Sequence, residues 1–247
     1  MCRHLAYIGP SVALHQLLFG EPHSLCEQAR APQHQVSGET NPDGWGVGWY
    51  RNGDAAPSRH RTVTPIWDDA PFAEQSRTIE SGAFLGAARL ASPGATIDPS
   101  GNAPFISGPW LFSLNGAVGG FRKGVDDQLR STLSPERLAG IEGDSDSEVL
   151  FALTLDRLDA GDSPGAALAS VVDTVTALTK GRLNMLLTDG HQLAATRYGN
   201  SLFVRGTTMV SEPLDDDADW TEVPDHSLVV LAAEPVAGHA QPAITPL

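Results

Sequence analysis

Two helical periods lie back to back in a chain otherwise made of short strand-like runs, and that order narrows the fold most. The first covers residues 146–159, with Ser145 as cap and Val149, Leu150, Leu153 and Leu158 apolar. The second covers about 164–179, with Leu168, Val171, Val172, Val175 and Leu178 at helical spacing and Gly181 just beyond. Strand candidates precede the pair at 3–8, 45–51, 61–65, 83–90 and 110–114. Others follow at 182–188, 191–198, 201–205, 207–211 and 227–233. Adjacent helices between blocks of strands differ from the alternating order that builds parallel sheets. They indicate an α+β fold with antiparallel sheet and segregated helices.

Local signals fill in the rest. Gly9-Pro10 should end the first strand, and Ser11 can cap a helix over 12–19. Asn52-Gly53-Asp54 reads as a turn, and Pro71–Glu80 as a weak helix. Asp215–Asp217 and the tail after 234 read as surface loops. The chain shows no repeat of 20–50 residues, which argues against solenoids and propellers. Its 247 residues fit one domain, taken as 2–247. A chain of this length buries roughly 70–75% of its unfolded surface and needs neither disulfide nor metal staples.

The formal charge is −14, distributed unevenly. Residues 1–124 carry ten acidic and nine basic side chains, whereas 125–247 carry twenty and seven. Such a balance argues against nucleic acid or an anionic membrane as partner, since both need a basic surface. An acidic half is ordinarily a well-solvated face, and it also favours cationic ligands. Cys2 and Cys26 are too few for a disulfide framework. No apolar run approaches a membrane span, and Pro10 and His15 break up the N-terminal apolar stretch, making a poor signal peptide. A reducing, cytoplasmic location is the expectation. The eight histidines are scattered, with no His-Glu-x-x-His, paired Cys-x-x-Cys or phosphate loop, so no metal and no cofactor are assigned.

The chemistry concentrates on a few residues. Cys2 follows the initiator methionine, and removal of that methionine would expose an α-amine beside a thiol. Such an amine, with pKa about 7.7–8.0, can take the proton of a thiol of pKa about 8.5, so one residue would supply nucleophile and base. A cysteine at position two can equally be incidental. Arg89 ends an apolar strand, where a guanidinium is costly to bury without an anion. Asn115-Gly116 ends another; the pair is a common turn, but an amide and a glycine N–H can also hold an oxyanion. Asp146 opens the first long helix, where an acid is ordinarily favourable and can also bind an ammonium.

Taken in order, Met-Cys-Arg, NPDGWGVGWY, RLAS, NAPF, SLNG and SDSE resemble the class II glutamine amidotransferases. The resemblance runs from residue 2 to about 235 and implies a four-layer αββα sandwich with two mainly antiparallel sheets, the N-terminal nucleophile hydrolase fold. SEPLDDDADWTEVPDHSL is similar to the stand-alone branch, in particular to the amidohydrolases of ergothioneine biosynthesis, which act on γ-glutamyl-hercynylcysteine sulfoxide. The resemblance implies Cys2 as nucleophile with its own α-amine as base, and Asn115 and Gly116 as oxyanion hole. It implies Arg89, helped by Ser92, on the glutamyl α-carboxylate and Asp146 on the α-ammonium, with Trp45 and Gly46 in the pocket wall. Leu114 and Ala103 stand where many relatives carry histidine, which weakens the case for free glutamine as substrate.

The reading that follows is hydrolysis of a small-molecule γ-glutamyl amide through a cysteinyl thioester. The glutaminase-like part uses up this length, leaving no room for a synthase domain. A glutaminase subunit that supplies ammonia to a separate synthase, and a non-catalytic γ-glutamyl-binding regulator, remain alternatives. Oligomeric state, homo-oligomers included, is left open by the sequence.

Overall fold

The computed structural model describes residues 2–35, 38–51, 54, 56–92, 94–232 and 242–247. Strand β1 spans Arg3–Ala13 and passes through Gly9-Pro10 instead of ending there. A register shift between Ile8 and Val12 absorbs the proline, which has no N–H for the ladder. The helix expected over 12–19 does not form. Val12 and Ala13 stay paired with Ser81 and Glu80, and one π-helical turn, Gln16–Gly20, follows. Helix α1 (Leu25–Arg30) had no separate signal in the sequence.

Strand β2 covers Trp45–Trp49 and β3 covers Ser58–Thr62. The returning strand therefore sits earlier than 61–65, because Thr62 Oγ1 accepts the Thr64 N–H and turns the chain before Pro65. The turn dipeptide Asn52-Gly53 lies outside the described residues. Helix α2 (Ala70–Gln75) is capped by Asp69, which accepts from the Phe72 N–H. Strands β4 (Glu80–Ala88), β5 (Phe105–Ser107) and β6 (Trp110–Val118) precede short helices α3 (Val125–Arg130) and α4 (Pro135–Ala139).

The two long helices are α5 (Asp146–Asp159) and α6 (Pro164–Leu178), with Ser145 and Ser163 as N-caps. Strands β7 (Gly181–Thr188), β8 (Gln192–Arg197), β9 (Phe203–Arg205), β10 (Thr208–Val210), β11 (Thr221–Glu222), β12 (Ser227–Ala232) and β13 (Ala243–Pro246) complete the chain. The tail is thus partly a strand: Ile244 lies opposite Val229, and β13 edges its sheet.

Among the described residues the strands form two sheets, ordered β11-β9-β10-β1-β4-β2-β3 and β13-β12-β8-β7-β6-β5, with every pairing antiparallel. Three apolar cores separate four layers. Leu5, Trp45, Val47 and Phe84 of the first sheet pack against Leu18, Leu25 and Phe72. Phe112, Leu114, Leu183 and Met185 of the second pack against Val149, Leu153, Leu168 and Val172. Ala6, Ile8, Leu85, Leu111, Leu186 and Val229 fill the space between the sheets. This is the αββα sandwich expected of the sequence.

The period of two in each strand decides what faces the inter-sheet space. On β1, Leu5 and Tyr7 face helices while Ala6 and Ile8 face the other sheet. His4 shares the inner face and bonds across to Ser113 of β6 at 2.9 Å. The same alternation turns Cys2 inward and Arg3 outward.

Candidate active site

Cys2 immediately precedes β1, an interior strand paired with β10 on one side and β4 on the other. Its carbonyl accepts the Arg3 Nε–H at 2.8 Å, and Arg3 Nη1 donates to Glu212 Oε1 at 2.5 Å. Arg3 and Glu212 are fully buried. Glu212 also accepts from His23 Nε2 and from the N–H groups of Gln33 and His34. Burial opposes its ionisation, but these donors and the Arg3 charge prevail and hold the carboxyl at about 2. The nucleophile candidate is therefore tethered to the far end of the chain.

Cys2 opens into a cavity of about 250 Å³. Arg89, Ser92, Gly116 and Asp146 line the same cavity, together with Ala103, Phe105 and Phe121. Cys26, by contrast, sits under α1 in the helical layer, where burial pushes its thiol up to about 11. Exposure to the cavity separates the two thiols: one can meet a ligand and the other cannot ionise readily.

The Arg89 guanidinium donates to Asn102 Oδ1 at 3.4 Å and to the Thr96 carbonyl at 3.2 Å. Among the described residues no carboxylate lies within salt-bridge distance of it, so a buried cation faces the cavity with neutral partners only. Asn102 is itself held by its donation to the Thr62 carbonyl at 2.7 Å. Asp146 accepts the Val118 N–H at 3.0 Å on Oδ2 and the Ser147 N–H at 2.8 Å on Oδ1. Its carboxyl is raised above the ordinary aspartate value, chiefly because burial disfavours the charge. Arg89 and Asp146 thus bring one positive and one negative group to the cavity, and neither forms a salt bridge among the described residues.

Asn115 and Gly116 lie on β6. Gly116 forms part of the cavity wall, and a Cβ there would overlap the Arg182 carbonyl of β7. Asn115 is wholly buried beside it, facing the inter-sheet space as Cys2 does, and its Nδ2 donates to Ser211 Oγ at 3.3 Å.

Trp45 is not in the cavity wall, contrary to the sequence reading. Alternation along β2 sends Trp45, Val47 and Trp49 to the helical layer. The indole packs on Phe19, Phe72 and His60 and donates to Asp69 at 3.1 Å. Gly46 faces the other way, one layer behind the cavity: a Cβ there would lie 2.6 Å from the Ala103 carbonyl, so the strand needs glycine for this close approach. Arg122, Lys123 and Asp144 also reach the cavity and carried no motif signal. Among the described residues no group of three His, Cys, Asp or Glu side chains could hold a metal, and no helix is long and apolar enough to cross a membrane.

A family model described as glutamine amidotransferases class-II matches residues 13–205. The chain belongs to the class II glutamine amidotransferases. The chain is 37% identical over 233 residues to the γ-glutamyl-hercynylcysteine sulfoxide hydrolase of Mycolicibacterium smegmatis, covering 93% of this chain and 95% of the relative. It is 35% identical to the protein of the same name from Mycobacterium tuberculosis, covering 93% and 92%. Among solved structures, a glutamine aminotransferase class-II domain protein from Silicibacter pomeroyi superposes with a TM-score of 0.69 at 25% identity, covering both chains fully.

Proposed function

We propose that this protein is a cysteine hydrolase that cleaves γ-glutamyl-hercynylcysteine sulfoxide to glutamate and hercynylcysteine sulfoxide. The observation that carries the reading is the cavity itself: Cys2 opens onto the same space as Arg89, which has no carboxylate partner among the described residues, and a half-buried Asp146. A γ-glutamyl group has one α-carboxylate, one α-ammonium and one acyl carbon, and Arg89, Asp146 and Cys2 are complementary to them in turn. Ser92, on the same wall, supports the carboxylate end. The 35–37% identity to hydrolases of that name, over nearly their whole length, supports the substrate.

With Met1 removed, the α-amine of Cys2 takes the thiol proton, and the sulfur attacks the γ-carbonyl carbon. Negative charge moves to the carbonyl oxygen, where the Asn115 amide and the Gly116 N–H receive it. Collapse breaks the C–N bond, and the leaving amine takes the proton held by the α-ammonium. A water activated by the same amine then hydrolyses the thioester, releasing glutamate and the free thiol. Phe105 and Phe121 line the cavity and are the aromatic side chains that would meet the trimethylammonium of the leaving group, where a contact with a ring face contributes roughly 0.5–2 kcal/mol.

The test is kcat/KM for glutamine, a neutral γ-glutamyl thioether and the betaine conjugate. The conjugate should be best and glutamine poorest. Preference for glutamine, with hydrolysis rising when a synthase is added, would replace this reading with ammonia supply.

A further inference from the structure

We propose that Ser211 and Asn200 are positioning residues that set the orientation of the Asn115 amide and couple it to the strand of the nucleophile. The proposal rests on the part given to Asn115 as oxyanion donor. Neither residue lies near Asn115 in sequence, yet both bond to it. Asn115 Nδ2 donates to Ser211 Oγ at 3.3 Å, while Asn200 Nδ2 donates to the Asn115 carbonyl at 2.8 Å and to its Oδ1 at 3.3 Å. All three side chains are buried.

The donors and acceptors favour the orientation seen for the amide. Ser211 Oγ donates its single proton to the His4 carbonyl at 3.2 Å and accepts the His4 N–H at 3.0 Å. What remains on the hydroxyl is a lone pair, which fits an amide N–H and repels an amide oxygen. On the other side, Asn200 offers an NH₂, which fits Oδ1 and repels Nδ2. Turning the Asn115 amide over would therefore oppose two donors on one side and two acceptors on the other, in a buried site where each mismatch is costly. The orientation seen commits one N–H of Nδ2 to Ser211 and leaves the second uncommitted among the described residues, as an oxyanion donor requires.

Two anchors make this a frame rather than a pair of contacts. Asn184 of β7 fixes the Asn200 backbone, accepting its N–H on Oδ1 at 3.1 Å and donating to its carbonyl at 3.1 Å. Ser211 is bound to both main-chain groups of His4, two residues from Cys2 on the same strand face. The hydroxyl thereby links the nucleophile's sheet to the donor's sheet across the inter-sheet space. Preorganised donors matter because they need no reorientation as charge develops.

The experiment is a double-mutant cycle on the full chain, read as kcat and KM separately. Asn115→Ala alone should lower kcat by roughly 10²–10³. Ser211→Ala and Asn200→Ala should each lower kcat about tenfold to a hundredfold with KM little changed, and the rate of Cys2 alkylation by iodoacetamide, which needs no oxyanion hole, should not move. In the Asn115→Ala background the same substitutions should cost nothing further. A full kcat for Asn115→Ala would refute the oxyanion reading itself. Loss in Asn115→Ala but additive losses from Ser211→Ala would overturn only the positioning role. If Asn200→Ala fails to fold, the Ser211→Ala arm, which deletes a single oxygen, decides alone.

Discussion

Arg3 and Glu212, 209 residues apart, meet as a fully buried ion pair at 2.5 Å, and the same guanidinium holds the Cys2 carbonyl. Burying such a pair yields little stability by itself, but breaking it strands a charge. The pair therefore acts less as glue than as a fixed point for the first residues of β1.

Glu212→Gln should destabilise the protein by about 3–5 kcal/mol, since Arg3 keeps its charge and loses its partner. The wild-type carboxyl is held at about 2 against an ordinary 4.5, so its contribution is complete above pH 4.5 and is lost as the pH falls towards 2. Urea titrations between pH 7 and 2 check both points. The wild type should weaken across that window, and the variant should start lower and lack that part of the slope. Equal stability of the two proteins at pH 7 would contradict the account.

Cys2→Ala should bind γ-glutamyl compounds and fail to cleave them, whereas Cys26→Ser should keep full turnover. Cys26 lies in the helical layer with its thiol raised to about 11, so it is neither exposed to substrate nor ionised near neutral pH. Turnover assays and intact-mass detection of an acyl adduct, present in the wild type and absent in Cys2→Ala, distinguish the two. Near-normal turnover by Cys2→Ala would remove it as nucleophile.

Arg89→Lys should be poorly tolerated, because a point charge does not replace a planar fork on a carboxylate. Asp146→Asn should weaken substrates with a free α-amine and spare N-acylated analogues. Ammonium binding needs the ionised carboxyl, and burial raises that group above its ordinary 3.8. In the wild type, KM should therefore climb on acidification from a higher pH than an ordinary aspartate would give. The climb should be absent for N-acylated analogues and in Asp146→Asn. Equal losses for both analogue types would take Asp146 out of the ammonium site.

The long helices were legible because their apolar spacing and, for α5, the Ser145 cap are local. The expected helix over 12–19 fails because the same apolar residues also suit a strand end, and the pairing of Val12 and Ala13 with β4 decides between them. In WGVGW the alternation is visible in the sequence, but nothing local says which face meets the cavity. The tryptophans go to the helices and the glycines to the inter-sheet side. Arg89 and Asp146 could be singled out because each sits at an element end with a chemical reason to be there, whereas Asn115-Gly116, expected to end a strand, lies within β6, which runs on to Val118. Asn200, Ser211 and Glu212 could not, since their partners lie on other strands and only the sheet topology brings them together.

The alternation along β1 also separates two kinds of genetic change. Between residues 2 and 8 each position is assigned to a face, with Arg3, Leu5 and Tyr7 towards the helices and His4, Ala6 and Ile8 towards the other sheet. A codon gained or lost there would exchange the two faces, pressing Arg3 between the sheets and turning the Cys2 thiol away from its cavity. A few residues later the register shift between Ile8 and Val12 already accommodates a mismatch in length. Changes in length are thus excluded from the start of this strand and confined to the bulge.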